Sequence, residues 1–172
     1  MSRGFTLLEL LITVAILAIV AGIAVPSLTL LIESNRVQTQ TNEFYTALVL
    51  ARSEAIKRNQ PVILCKSSNG SSCTTDDYWE QGWIIYADEN GDGDLDAGEA
   101  LIQAKEALPW GLTLRATNTN AFENEIAFRT DGTLAATDTL DLCVDSETSR
   151  GRTVVIAVTG RPRTAKGASE CP

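Results

Sequence analysis

Arg3-Gly4-Phe5-Thr6-Leu7-Leu8-Glu9-Leu10 opens an apolar stretch that continues to Ile32, and Leu10 to Ile32 is 23 consecutive residues without a charge, mostly Leu, Ile, Val and Ala. A helix needs about 20 such residues to cross a bilayer, so the chain is expected to enter a membrane. A cleavable secretory signal has an apolar core of about 7 to 15 residues followed by a small-residue cleavage site; this stretch is too long and runs into Val25-Pro26-Ser27, which argues against removal of the whole segment. Glu9 is the one acid inside it. A carboxylate at mid-bilayer costs about 2.5 to 3.5 kcal/mol, and less near an interface, so Glu9 needs a partner or a place at the headgroups.

Downstream, the pattern changes without a linker. Pro26 removes one backbone donor, so the helix should bend there rather than end, because the apolar pattern resumes at once. Val37, Thr41, Phe44, Leu48, Ala51 and Ala55 then recur at three- and four-residue steps, with Arg36, Gln38, Asn42, Glu43, Arg52 and Lys57 on the other faces. The spacing predicts one helix from Phe5 to about Arg58, stopped by Asn59-Gln60-Pro61. Its first half is apolar all round and its second half along one stripe. Beyond it, Val62 to Cys65, Trp83 to Ala87, Leu101 to Gln103, Leu112 to Ala116, Glu125 to Arg129, Leu140 to Val144 and Thr153 to Thr159 read as strands of one antiparallel sheet packed on the helix, an α+β fold. Tyr78, Trp79, Trp83 and Trp110, beside these strands, are expected in the core.

Composition narrows the function. The 172 residues amount to one ordinary domain. The absence of His removes Ser-His-Asp and Cys-His triads and all His-containing metal sites, and no paired carboxylates stand outside one acidic loop, so the chain is not expected to be an enzyme or to act on a small-molecule substrate. The net charge of −8 is uneven: Asp88 to Glu99 carries six acids and no base, whereas Arg150, Arg152, Arg161, Arg163 and Lys166 make the closing segment basic.

The segment Arg3 to Leu10 with its apolar run resembles the class III signal of type IV prepilins and type II secretion pseudopilins. Ala51-Arg52-Ser53-Glu54-Ala55-Ile56-Lys57, Gln81-Gly82-Trp83-Ile84-Ile85-Tyr86-Ala87-Asp88 and Gly160-Arg161-Pro162-Arg163 resemble the FimT/FimU minor pilins and the H-type pseudopilins, so the likeness covers nearly the whole chain. It implies a leader of residues 1–4, a membrane or filament-core half-helix of 5–32, an amphipathic half of 33–60 and a disulfide-bonded β-rich head of 61–172. It also implies cleavage between Gly4 and Phe5 by a prepilin peptidase, N-methylation of Phe5, and use of Glu9 in assembly with other major and minor pilins. The implied itinerary is the inner membrane with the head in the periplasm, then a pilus at the cell surface. Two alternatives belong to the same resemblance: an H-type pseudopilin of type II secretion, and a DNA-binding minor pilin for natural transformation, since FimT-type pilins of that kind end in a Gly-Arg-x-Arg motif. Arg161 and Arg163, with Lys166 and Arg152 nearby, are the DNA-binding candidates, and a solvated or salt-bridging terminus is the rival reading. Few phosphates could be neutralised, so DNA affinity would be low and salt-dependent.

Cys65, Cys73, Cys143 and Cys171 all fall in the part placed outside the membrane, as an oxidising compartment allows. Of the three possible pairings, Cys65 with Cys73 and Cys143 with Cys171 is expected, one closing a small loop and the other pinning the carboxyl end to a strand; a four-thiolate metal site lacks any Cys-x-x-Cys pair. No cofactor is required. One is open: Asp88, Asn90, Asp92, Asp94, Asp96 and Glu99 occupy the oxygen-ligand positions of a twelve-residue calcium loop, with Gly93 at its tight turn. The segment before it reads as a strand rather than an entering helix, and an unmetallated acidic hairpin is the competing reading.

Overall fold

The structure is a computed structural model that describes residues 6–76, 78–117 and 121–171. It contains two compact units, Met1–Arg36 and Val37–Pro172. The first consists of the leading part of α1 (Leu7–Arg58). Thr6 starts this helix: its Oγ1 accepts the Glu9 N–H at 3.2 Å and its carbonyl accepts the Leu10 N–H at 3.2 Å. Thr6-Leu7-Leu8-Glu9 has the spacing of a capping box, which satisfies a first-turn donor that lipid could not. Farther along, the Thr13 hydroxyl donates to the Leu10 carbonyl at 2.9 Å, so this apolar stretch leaves that polar side chain satisfied by its own backbone. This part of the helix is exposed and is long and apolar enough to cross a membrane. The helix is continuous through residue 26.

In the second unit the remaining turns of α1 form the spine of a core. Val37, Thr41, Phe44, Leu48, Ala51 and Ala55 are fully buried, the stripe expected from the sequence. Thr41 is tolerated there because its hydroxyl donates to the Val37 carbonyl at 2.7 Å. The helix ends where Asn59 adopts φ 54° and the Gln60 N–H reaches back to the Ala55 carbonyl at 3.3 Å.

Among the described residues eight strands follow, one more than the sequence reading, and they form two sheets rather than one. The first has the order β3-β2-β1-β5, with β1 Val62–Lys66, β2 Trp83–Ala87, β3 Leu101–Lys105 and β5 Glu125–Phe128. The second has the order β4-β6-β7-β8, with β4 Leu112–Ala116, β6 Asp138–Val144, β7 Arg152–Ile156 and β8 Pro162–Lys166. All pairs are antiparallel. The missed strand, β8, has one apolar side chain at its start and polar or small residues after it; it exists because it pairs with β7 in register Ile156↔Pro162 through Arg152↔Lys166.

The uninterrupted apolar runs of β1 and β2 are explained by burial on both faces. Val62, Leu64, Trp83, Ile85 and Ala87 join the main core with Phe44, whose ring meets Trp79 and Trp83 edge-on at centroid distances of 5.7 and 5.2 Å. On the other face Ile63, Cys65, Ile84 and Tyr86 form a second small core, covered by Cys73 and Leu95. The acidic loop thus has a packing duty: its one large apolar residue, Leu95, helps roof the outer face of the first sheet. Two aromatic expectations need correction. Trp110 is 92% exposed and Tyr78 54% exposed, whereas Trp79 and Trp83 are buried. Pro109 and Gly111 hold Trp110 on a turn outside the sheets, and Tyr78 lies flat under the Arg115 guanidinium, 3.6 Å from its ring centroid.

Candidate functional site

Gly4 and Phe5, the expected processing site, lie outside the described residues. Glu9 sits in the first turn of α1 on an exposed face, its backbone held by Thr6.

Both expected disulfides are formed, Cys65–Cys73 and Cys143–Cys171, with Cα separations of 5.6 and 5.8 Å, and the described residues hold no free cysteine. In the chain-entropy picture, sequence separations of 8 and 28 residues correspond to about 2.5 and about 3.6 kcal/mol. The carboxyl end has a second anchor that sequence reading missed. Asp141 on β6, 1% exposed, accepts the Thr153 hydroxyl at 2.5 Å and, from the closing segment, the Ser169 N–H at 2.6 Å, the Ser169 hydroxyl at 2.5 Å and the Glu170 N–H at 2.9 Å. An Asp set between Leu140 and Leu142 was the available signal, since a buried carboxylate persists only with such donors.

The six acidic-loop residues all lie in the connection from β2 to β3. Asp88 is buried and accepts the N–H groups of Gly91 and Gly93 at 2.7 and 3.3 Å. Glu99 accepts those of Glu89 and Asp96 at 2.8 and 3.0 Å, closing the loop across its mouth. The Asn90 amide donates to Asp92 at 2.8 Å and Asp96 at 3.0 Å. The oxygens are of the hard type calcium prefers. In this arrangement they close the loop on its own donors, and among the described residues no three acids converge as a metal-holding group. The crowding has an electrostatic cost: Glu125 on neighbouring β5 has its pKa raised by burial and then by Asp88 and Asp94. Burial and the same carboxylates raise the Tyr86 phenol, which donates to the Gly93 carbonyl at 2.5 Å.

At the basic end the structure divides the expected residues. Register places Arg152 and Lys166 opposite each other on the face that carries Val154, Ile156 and Pro162, while Arg163 alternates to the other face. The four therefore do not form one patch. Arg161 and Arg163 instead line an open groove of about 620 Å³ together with Arg52 and Lys57 of α1, two cations that sequence reading did not assign to the site. The floor includes Tyr45, Val49 and Ile56, which are 37, 42 and 46% exposed. Gly160 sets the geometry. With φ +70° it passes so close to Gly132 that an added Cβ would lie 1.9 Å from the Gly132 carbonyl oxygen, the atom that also accepts a bond from Arg52 Nε at 3.1 Å. Glycine lets the two turns stack against α1, and the arginines follow from there.

A long amino-terminal helix, apolar in its first part and buried along one stripe in its second, joined to a disulfide-bonded antiparallel head, defines the type IV pilin-like class. The minor pilin FimU of Pseudomonas aeruginosa superposes with a TM-score of 0.65 at 22% identity, over 80% of this chain and 96% of that one. The minor pseudopilin EpsH of Vibrio cholerae gives 0.54 at 15% identity, over 76% and 97%. The profile of the type II transport protein GspH family matches residues 40–160, and that of the prokaryotic N-terminal methylation motif matches residues 1–25; the chain belongs to the GspH family. The pilin-like protein PilA1 of Thermus thermophilus is 33% identical over 99 residues, so the chain spans about half the length of that curated relative, 55% of it. Family and fold neighbours are structural pilins and pseudopilins, not enzymes.

Proposed function

We propose that this chain is a minor subunit of a type IV pilus, held in the inner membrane by the first half of α1 with its head in the periplasm, and drawn from there into the filament or its priming complex. The observation that carries this reading is the division of one continuous helix, Leu7–Arg58, into an apolar part that is exposed among the described residues and a part that is the spine of a core, together with a methylation motif at its start. An uncovered apolar helix needs lipid before assembly and neighbouring helices afterwards, and a filament supplies the second. Glu9 then has its role: a carboxylate among such helices is stabilised by a nearby cation, and the amino group exposed when a peptidase cuts between Gly4 and Phe5 is one.

The test is made in the native host. The mature mass should show loss of residues 1–4 and a methyl group on Phe5, and deletion should reduce sheared surface filaments while exoprotein secretion stays normal. A full-length chain retaining Met1 in a host with the peptidase overturns the processing. The GspH profile keeps a second reading in view, a pseudopilin of type II secretion, for which the deletion would stop secretion and spare the pili.

A further inference from the structure

We infer that the groove between α1 and β8 is a docking site for the acidic loop Asp88–Glu99 of a second copy of this chain. The inference rests on the filament-subunit reading, because it supposes neighbouring copies. Its basis is complementary charge, of which Arg161 and Arg163 on one side and the exposed acids of the loop on the other make no ion pair among the described residues. The groove offers Arg52, Lys57, Arg161 and Arg163. Among the described residues neither Arg161 nor Arg163 makes an ion pair, and Lys57 is 74% exposed beside Glu54. The loop presents four exposed acids, Glu89, Asp92, Asp94 and Asp96, which likewise make no ion pair. Arg161 and Arg163, with the exposed Lys57 beside them, thus offer charge to the carboxylates of a loop already closed by its own hydrogen bonds, which lowers the ordering entropy that opposes their meeting.

The groove's composition favours a protein over a nucleic acid. Tyr45, Val49 and Ile56 offer apolar surface that a protein loop can cover, and the Arg52 and Lys57 stems extend it. The net charge of −8 adds a general repulsion toward a nucleic acid, whose phosphates would find little beyond these few cations to neutralise them. Groove and loop are different surfaces, so the contact is head-to-tail and joins copies that stand next to each other.

The experiment uses the full chain in detergent micelles, with isotope-labelled and unlabelled copies mixed, treated with a carbodiimide that joins carboxylates directly to lysine amines. The expected product links Lys57 of one copy to Asp92, Asp94 or Asp96 of the other. Its yield should fall at least tenfold in Arg161→Glu/Arg163→Glu and in Asp92→Lys/Asp94→Lys/Asp96→Lys, each tested alone. Mixing the two variants restores opposite charges at every contact between unlike copies, so interchain linking should return, carried by any carboxylate–lysine pair at the groove. A misfolded variant could not be rescued in this way. Absence of the Lys57 link in the natural chain, links indifferent to charge reversal, or failure of the mixture to recover overturns the proposal. So does salt-sensitive binding of short duplex DNA that displaces the link and is lost in Arg161→Glu/Arg163→Glu, which would assign the groove to nucleic acid. Processing and incorporation are assayed separately, so a chain that is methylated and found in filaments yet shows no link refutes this contact alone.

Discussion

Replacing Gly160 by Ala tests the stacked turns that place the basic groove. Two costs follow from the geometry. At φ +70° a residue with a Cβ carries about 1 to 2 kcal/mol of left-handed strain. The new Cβ would also stand 1.9 Å from the Gly132 carbonyl oxygen, and because that neighbour is backbone, the 129–133 turn must move. Its movement breaks the charged bond from Arg52 to that oxygen, at 3.1 Å, worth about 1.5 to 3 kcal/mol. The total is about 3 to 5 kcal/mol, a large share of the 5 to 15 kcal/mol typical of a domain. Gly132→Ala is the comparison. It shares a positive φ, but its Cβ meets the end of Ile56 at 2.7 Å, a side chain that can swing, so about 1 to 2 kcal/mol is expected. Urea unfolding of the full chain in micelles, followed by tryptophan fluorescence, measures both. With a slope of about 2 kcal/mol per molar, the Gly160 variant should lose about 2 M in midpoint, and its yield of the Lys57 link should fall as the arginines shift. A loss no greater than that of Gly132→Ala would show that the clash relaxes freely and that Gly160 does not set the groove.

Three further outcomes are expected. Asp141→Ala should cost about 2 kcal/mol, and limited proteolysis should release the closing segment only when the Cys143–Cys171 bond is also reduced; release by reduction alone would show that the Asp141 bonds contribute nothing. Glu125→Gln should stabilise the chain at neutral pH: the folded pKa of Glu125 is raised, so the folded state binds its proton more tightly than the unfolded state does, and the natural chain loses stability as pH rises from the ordinary carboxylate range through that raised value. The difference in melting temperature between variant and natural chain should therefore shrink toward zero at acid pH, and a constant difference would refute the cause. Calcium at about 1 mM should give no saturable heat in calorimetry, because among the described residues no three acids converge as a metal-holding group and the loop would have to rearrange to make one; a saturable heat with a rise in melting temperature would return the acidic loop to the calcium reading.

The sequence by itself determined the helix, its two halves and its end, because hydrophobic periodicity and a stop at Asn59-Gln60-Pro61 are local signals that burial merely confirms. The cysteine pairing it left among three, and the folded chain forms the expected one, Cys65–Cys73 and Cys143–Cys171. Thr6 and Glu9 carried a capping signal in plain spacing that went unread. What the tertiary structure decided depends on neighbours that no window of sequence contains. β8 exists through its pairing with β7, not through its own propensity. Two sheets replace one because β1 and β2 are covered on both faces, the outer one by the disulfide loop and Leu95. Trp110 stands in solvent while Trp79 is enclosed, although both flank strands. The basic site changed most. Sequence proximity grouped Arg161 and Arg163 with Arg152 and Lys166, whereas the pleat alternates Arg163 away from that pair and the stacking of Gly160 on Gly132 carries both arginines to Arg52 and Lys57, more than a hundred residues earlier in the chain. Charge patches are made by the packing of elements, and only the folded chain shows which cations share one.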